Sequence, residues 1–102
     1  MEVRVADNPA ESRYEASVDG RLAGFAMYRD EDGQRVFFHT EVDPSHEGEG
    51  IGHELVTVAL TDMRESGVPV VPLCPFFASF IRRHPEWHDV LVPELRARFE
   101  HA

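Results

Sequence analysis

The chain has no lysine, a single cysteine, one tryptophan and two tyrosines in 102 residues. Each scarcity excludes something. Without lysine there can be no Walker loop, whose Gly-Lys-Ser/Thr end needs an ammonium on the phosphates, and no acetylation of the chain's own lysine side chains. With only Cys74 no internal disulfide can form, which suits a reducing compartment. No run approaches the roughly 20 apolar residues of a membrane span, and the opening Met1-Glu2-Val3-Arg4-Val5-Ala6-Asp7 lacks the apolar stretch of a signal peptide. The expectation is a cytoplasmic protein without a membrane partner.

Positive charge is also scarce. Ten arginines stand against nineteen carboxylates for a net charge of −9, and the arginines are dispersed rather than clustered, which argues against nucleic acid as a partner. An acidic chain attracts cations instead, so any acceptor substrate is expected to be cationic, such as a polyamine or an exposed protein amine. Six histidines raise the question of a metal. His84 and His88 are four apart, but Pro85 disfavours helix at His84, and neither a second cysteine nor a His-Glu-x-x-His pattern is present, so no metal is expected.

What is present has the size and balance of one small domain over residues 1–102, with 42% hydrophobic and 28% charged residues. Val3–Ala6, Arg13–Val18, Arg21–Arg29 and Arg35–Val42 read as four antiparallel strands, with Asp19-Gly20 a hairpin turn and residues 30–34 a second turn. Strict alternation along the fourth strand puts Val36, Phe38, Thr40 and Val42 on one face and Phe37, His39 and Glu41 on the other. Apolar residues at 51, 55, 56, 59, 60 and 63 recur at helical spacing, and Gly67 stands at the C-cap. Val68–Leu73 reads as a short strand punctuated by two prolines and Pro75 as the first residue of a second helix. Trp87 is expected to close the core, and residues 93–100 read as a short amphipathic helix. A strand returning parallel to the fourth would bring the end of that strand and Cys74 to the same edge of the sheet.

The most informative stretch lies between the fourth strand and the first helix, where Gly48, Gly50 and Gly52 alternate with Glu47, Glu49 and Ile51. Glycines leave backbone amides bare, and the free N–H groups opening a helix form an anion site, so the expected ligand bears a phosphate or pyrophosphate. A dinucleotide fingerprint does not fit, because this loop follows several strands rather than opening a βαβ unit. Cys74, just before Pro75, is the expected N-cap of the second helix, where unpaired amides favour a thiolate nucleophile. His39 is a candidate base toward Cys74 or toward an incoming ammonium, and Glu41 either orients it or acts as base itself. Arg82-Arg83 is the one adjacent basic pair, and Arg83 is a candidate contact for a cofactor phosphate.

The run Glu47-Gly48-Glu49-Gly50-Ile51-Gly52-His53-Glu54-Leu55 resembles the acetyl-CoA pyrophosphate loop of the GNAT N-acetyltransferase superfamily. His39-Thr40-x-Val42, Leu73-Cys74-Pro75-Phe76 and Phe80-Ile81-Arg82-Arg83-His84-Pro85-Glu86-Trp87 resemble a short subfamily of it. The resemblance implies a minimal α/β acyl-CoA N-acyltransferase fold, with a twisted, mostly antiparallel sheet of about five strands flanked by two or three helices. It implies acetyl-CoA as cofactor, an amine acceptor, and a monomer or weak homodimer. It also implies cofactor contacts from Val42 and from Glu47, Gly48, Glu49, Gly50, Ile51 and Gly52, and an acyl-carrying cysteine at Cys74. Glu47 departs from the pattern, since the superfamily has a basic or amide side chain there. No late tyrosine is available as the acid that many such enzymes use, which leaves a non-catalytic acyl-CoA-binding module as the alternative.

Overall fold

A computed structural model of the chain describes residues 2–100. Strands β1 (Val3–Asn8), β2 (Arg13–Val18), β3 (Arg21–Glu31) and β4 (Gln34–Val42) form an antiparallel meander. The β2–β3 turn places Asp19 at φ 50° and Gly20 at φ 84°, and the β3–β4 turn places Asp32 at φ 54° and Gly33 at φ 75°. Positive φ at both central residues matches the right-handed twist of the flanking strands, which is why Asp-Gly closes both hairpins. The second turn is therefore only two residues long, and β3 runs two residues beyond Arg29.

Helix α1 (Ile51–Ser66) follows β4 and leads to β5 (Val70–Pro72), which pairs parallel with β4 and completes the order β1-β2-β3-β4-β5. Gly67 ends α1 in the left-handed conformation, its N–H reaching the Arg64 carbonyl at 3.4 Å while Val68 N–H reaches Met63 at 3.1 Å. Helices α2 (Pro75–Arg83) and α3 (Pro93–Glu100) follow, with single 3-10 turns at 9–11 and 44–46 and a longer 3-10 segment at 85–90. The result is an α/β fold with a five-stranded, mostly antiparallel sheet and three α-helices, the architecture expected from the sequence.

Strict alternation in β4 does not survive. The pairing of β3 with β4 slips at one point, from Met27↔His39 to Tyr28↔Phe37, so Phe38 is an extra residue with no partner on β3. A bulge of this kind flips the side-chain order on either side of it. Phe37 consequently shares the inner face with Thr40 and Val42, not with His39 and Glu41 as alternation implied. It is fully buried, stacks on Phe77 of α2 at 4.4 Å between centroids and meets Tyr14 and Tyr28 at 6.1 and 5.9 Å.

That inner face is the core. Tyr14, Ala16 and Val18 of β2, and Ala26 and Tyr28 of β3, pack against Ile51, Leu55, Ala59 and Leu60 of α1 and against Phe77 and Ile81 of α2. Gly24 lies under α1, where an added Cβ would come 2.8 Å from the Glu41 carbonyl oxygen and 3.3 Å from Ile51. The outer face carries Phe25, His39 and Glu41, with ion pairs running along single strands: Arg13 to Glu15 at 2.7 Å, Arg29 to Glu31 at 3.0 Å and His39 to Glu41 at 3.0 Å. Trp87, expected to close the core, is half-buried under the Arg64 guanidinium, 4.1 Å from its ring.

Candidate functional site

The site begins where β4 and β5 part. Their register runs from Arg35↔Val70 to Phe37↔Pro72, and the last link is Cys74 N–H to the Phe37 carbonyl at 2.9 Å. Beyond it β5 ends and the chain turns into α2, so the rest of β4 has no neighbour on that side. Asp43 N–H still bonds the Ala23 carbonyl of β3 at 2.7 Å. Backbone groups of an antiparallel strand alternate in direction, so Glu41 and His39 turn theirs toward β3 and Thr40 and Val42 turn theirs toward the open side. An open edge of two residues therefore lies at the mouth of the sheet.

The glycine loop adjoins this edge. Gly48 and Gly50 both take φ 81°, and a Cβ added at either would meet nothing within 4 Å, so the backbone there faces open space. Gly50 is the N-cap of α1 and accepts from Glu54 N–H at 3.1 Å, which leaves the amides of Ile51, Gly52 and His53 without helical acceptors. Asp43 steadies the entry to the loop, its carboxylate accepting from Ser45 N–H at 2.9 Å and Ser45 Oγ at 2.8 Å. Those two hydrogen bonds, the backbone one foremost, hold the Asp43 carboxyl below the usual range. Gly52 is glycine for another reason, because Phe76 of α2 lies across it so closely that an added Cβ would sit 2.4 Å from the ring.

These parts enclose a cleft of about 380 Å3, lined by Thr40, Val42, Gly48, Gly50, His53 and Phe76 among others. A second groove, of about 610 Å3, shares Thr40 and Val42 but otherwise takes its walls from Leu22, Phe25, Glu41, Asp43 and Pro44. Thr40 and Val42 thus form a partition between a glycine-lined cleft and an acidic groove with an apolar floor. Leu22, 49% exposed, is part of that floor.

Cys74 is the N-cap of α2 but does not cap it with its side chain. Its thiol donates to Thr40 Oγ1 at 3.2 Å, and the residue is only 4% exposed, so the sulfur lies behind Thr40. Backbone position and side-chain direction differ here because Cys74 N–H is already bound to Phe37, which aims the Cβ along the inner face. His39 and Glu41 are on the outer face, His39 beside Phe25 with 6.2 Å between ring centroids. The structure therefore brings Cys74 to Thr40, keeps His39 and Glu41 together at 3.0 Å, and does not bring the imidazole to the thiol. Arg83 is exposed two turns along α2 from Phe76, outside the cleft lining, while Arg82 stacks over Phe99 at 4.7 Å.

The GCN5-related N-acetyl-transferase family profile matches residues 13–90. The chain belongs to the GCN5-related N-acetyltransferase family. A solution structure from Staphylococcus aureus, classed as a GCN5-like N-acetyltransferase, superposes with a TM-score of 0.69 at 18% identity, covering 87% of each chain. A crystal structure from Desulfovibrio desulfuricans, classed as an acetyltransferase of the GNAT family, gives a TM-score of 0.53 at 21% identity, with 72% of this chain and 52% of that one covered. At these identities the likeness is one of fold. No curated protein matches.

Within this GCN5-related chain both tyrosines are committed elsewhere. Tyr14 donates to Asp62 at 2.9 Å and Tyr28 to Asp7 at 2.6 Å; burial first, then the carboxylate, raises both phenols, Tyr28 to about 12. Neither lines the cleft or the groove. Two residues of the site belong to the family-like motifs, but nothing in their local pattern shows what they touch. Thr40 is the partner of Cys74 across 34 positions, a contact no local pattern encodes, and Phe76 has the pattern of any apolar helix residue although it lies across Gly52. The backbone fits a diphosphate-bearing cofactor, with two bare glycines, three free amides and an open strand edge. The side-chain charge does not help it, since Glu47 lines the cleft and, among the described residues, no arginine does.

Proposed function

We propose that this family member is an acetyl-CoA-dependent acyltransferase acting on an amine, with the cofactor in the glycine-lined cleft and the acceptor in the acidic groove. The observation that supports it most is the shared partition of Thr40 and Val42, in which Thr40 holds the buried Cys74 thiol and two carboxylates line the groove beside it. Acetyl-CoA supplies an activated acetyl thioester. Backbone N–H groups from Gly48 to Gly52 would hold its diphosphate, and the open-edge groups of Thr40 and Val42 would be free to pair with its pantetheine amides. Val42 N–H, on the open edge of β4, would be the donor available to a thioester carbonyl bound there.

Thr40 Oγ1 orients the Cys74 thiol. Cys74 would take the acetyl group from the thioester, its proton going to the departing CoA thiolate, and would be freed as the thiol again when the amine takes the acetyl group from its sulfur. Glu41, bridged to His39, is on the acceptor side and takes the proton of an incoming ammonium. A cationic amine, on a small molecule or a protein, suits a groove whose charged linings are carboxylates. A second reading, an acyl-CoA-binding module without transfer, is favoured by the burial of Cys74 and the engagement of both tyrosines.

Intact-protein mass spectrometry after incubation with acetyl-CoA, with Cys74→Ala as control and a thermal-shift titration with CoA alongside, separates the two. The transferase reading expects one acetyl adduct, absent from Cys74→Ala and discharged by a primary amine. CoA stabilisation without adduct or amide product sinks the transferase and leaves the binding module. Absence of both sinks the acetyl-CoA reading altogether.

A further inference from the structure

The cleft assigned above to acetyl-CoA has an unusual charge composition. Among the described residues, its only side chains able to become positive are His46 and His53, and its one carboxylate is Glu47. A diphosphate there would meet backbone amides but no permanent cation. The two imidazoles differ. His46 is tied to Glu49, Nδ1 to Oε2 at 3.0 Å, so any positive charge it gains is already paired. His53 is the third residue of α1, at the free amides, and among the described residues no group hydrogen-bonds its ring nitrogens. Its ring is braced edge-on by Phe80 of α2, 5.3 Å between centroids, which holds it at the cleft wall.

We propose that His53, as imidazolium, is the cationic partner of the cofactor diphosphate, so that CoA binding tightens as pH falls through the imidazole range. The inference rests on the acetyl-CoA reading and goes beyond it by assigning the missing positive charge to one titrating side chain. Of the nearby carboxylates Glu47 lines the cleft, Glu49 is taken by His46, and Glu54 follows His53 on α1, exposed. From α2 and the turn after it come Arg83, at the far end of the helix, and His84, whose ring centroid is 6.2 Å from that of His53 and whose Nδ1 is 3.6 Å from Glu86. Glu86 pairs His84, which leaves His53 as the imidazole with both a free nitrogen and an opening to the cleft. A charge-assisted hydrogen bond of this kind is about twice as strong as a neutral one, so its gain or loss changes affinity by about tenfold.

The test is titration calorimetry of the full chain with CoA from pH 5.5 to 8.0, in wild type, His53→Gln and His53→Arg, with pantetheine as a phosphate-free probe and circular dichroism to verify folding. The expected result is a Kd that rises about tenfold from pH 6 to pH 8 in wild type. His53→Gln should bind weakly with a flat profile, His53→Arg tightly with a flat profile, and pantetheine should show no slope. A wild-type Kd for CoA that does not change with pH, or a slope that persists in His53→Gln, overturns the role of His53 while leaving the cofactor reading intact. No CoA binding by folded protein at any pH overturns both.

Discussion

The two halves of β4 are built from one strand and do opposite things. From Arg35 to Phe37 it is paired on both sides, to β3 and to β5. From His39 to Val42 it is paired to β3 alone, and its other edge opens on the cleft. The bulged Phe38 separates them, turning Phe37 into the core and Thr40 and Val42 toward the site. The closed half is tied into the sheet on two sides, and the open half is left with unpaired backbone groups along one edge. A regular ladder along the whole strand would have sealed the site.

The closed half should be the more sensitive to truncation. Phe37→Ala removes a fully buried ring stacked on Phe77 and is expected to cost about 3–5 kcal/mol in denaturant unfolding. A loss below about 1 kcal/mol would mean that the stack does not anchor this half. Two glycines bracket the open half and should respond unequally to alanine. Gly24→Ala drives a Cβ against the Glu41 carbonyl oxygen at 2.8 Å and should cost about 1–3 kcal/mol while displacing the cleft. Gly48→Ala meets nothing and loses only through its positive φ, about 1 kcal/mol, so equal losses in the two variants would contradict the packing given to Gly24.

Chemistry should respond where stability does not. Thr40→Val keeps bulk but removes the hydroxyl that holds Cys74, so unfolding should shift by less than about 1 kcal/mol. The same hydroxyl can turn its O–H to the thiolate once the proton is gone, so alkylation of Cys74 by iodoacetamide should slow several-fold in that variant and recover in Thr40→Ser; unchanged rates would detach Thr40 from the thiol. The smallest effect concerns pH at the closed end. Arg35 stacks on Tyr28 and forms a two-pronged contact to Asp30 at 2.7 and 2.9 Å, and the guanidinium hydrogen bonds hold the Asp30 carboxyl below its ordinary value. A depressed carboxyl adds stability above its unfolded pKa and loses it as pH falls toward the folded one, so the contribution disappears below about pH 4. Because Asp30 is largely exposed, screening leaves well under about 1 kcal/mol, seen as a slightly shallower acid limb in Asp30→Asn urea titrations.

Local chemistry made much of this fold legible. Asp19-Gly20, Gly67, Pro75 and the apolar spacing of α1 each act within a few residues, and the hairpin, the C-cap, the α2 start and the helix all stand where those signals put them. The glycine loop was legible for the same reason, since φ 81° at Gly48 and Gly50 is a backbone requirement that glycine meets by lacking a Cβ. The bulge was not, because Val36 to Val42 alternates acceptably either way and only pairing to β3 decides which residue is extra. That one displaced residue also settled the sides of the site: it put Thr40 beside Cys74, and it left His39 and Glu41 on the other face.

By itself the sequence determined the element order, the turns, the glycine loop and the acidic charge, because each depends on residue type and short-range sterics. Only the tertiary structure decided which face each β4 side chain takes and where the β4–β5 ladder stops. It alone decided what Cys74 touches, and that among the described residues histidines are the cleft's only basic side chains. Those depend on contacts between residues far apart in the chain, whose outcome is set by how α1 and α2 pack on one face of a bulged sheet.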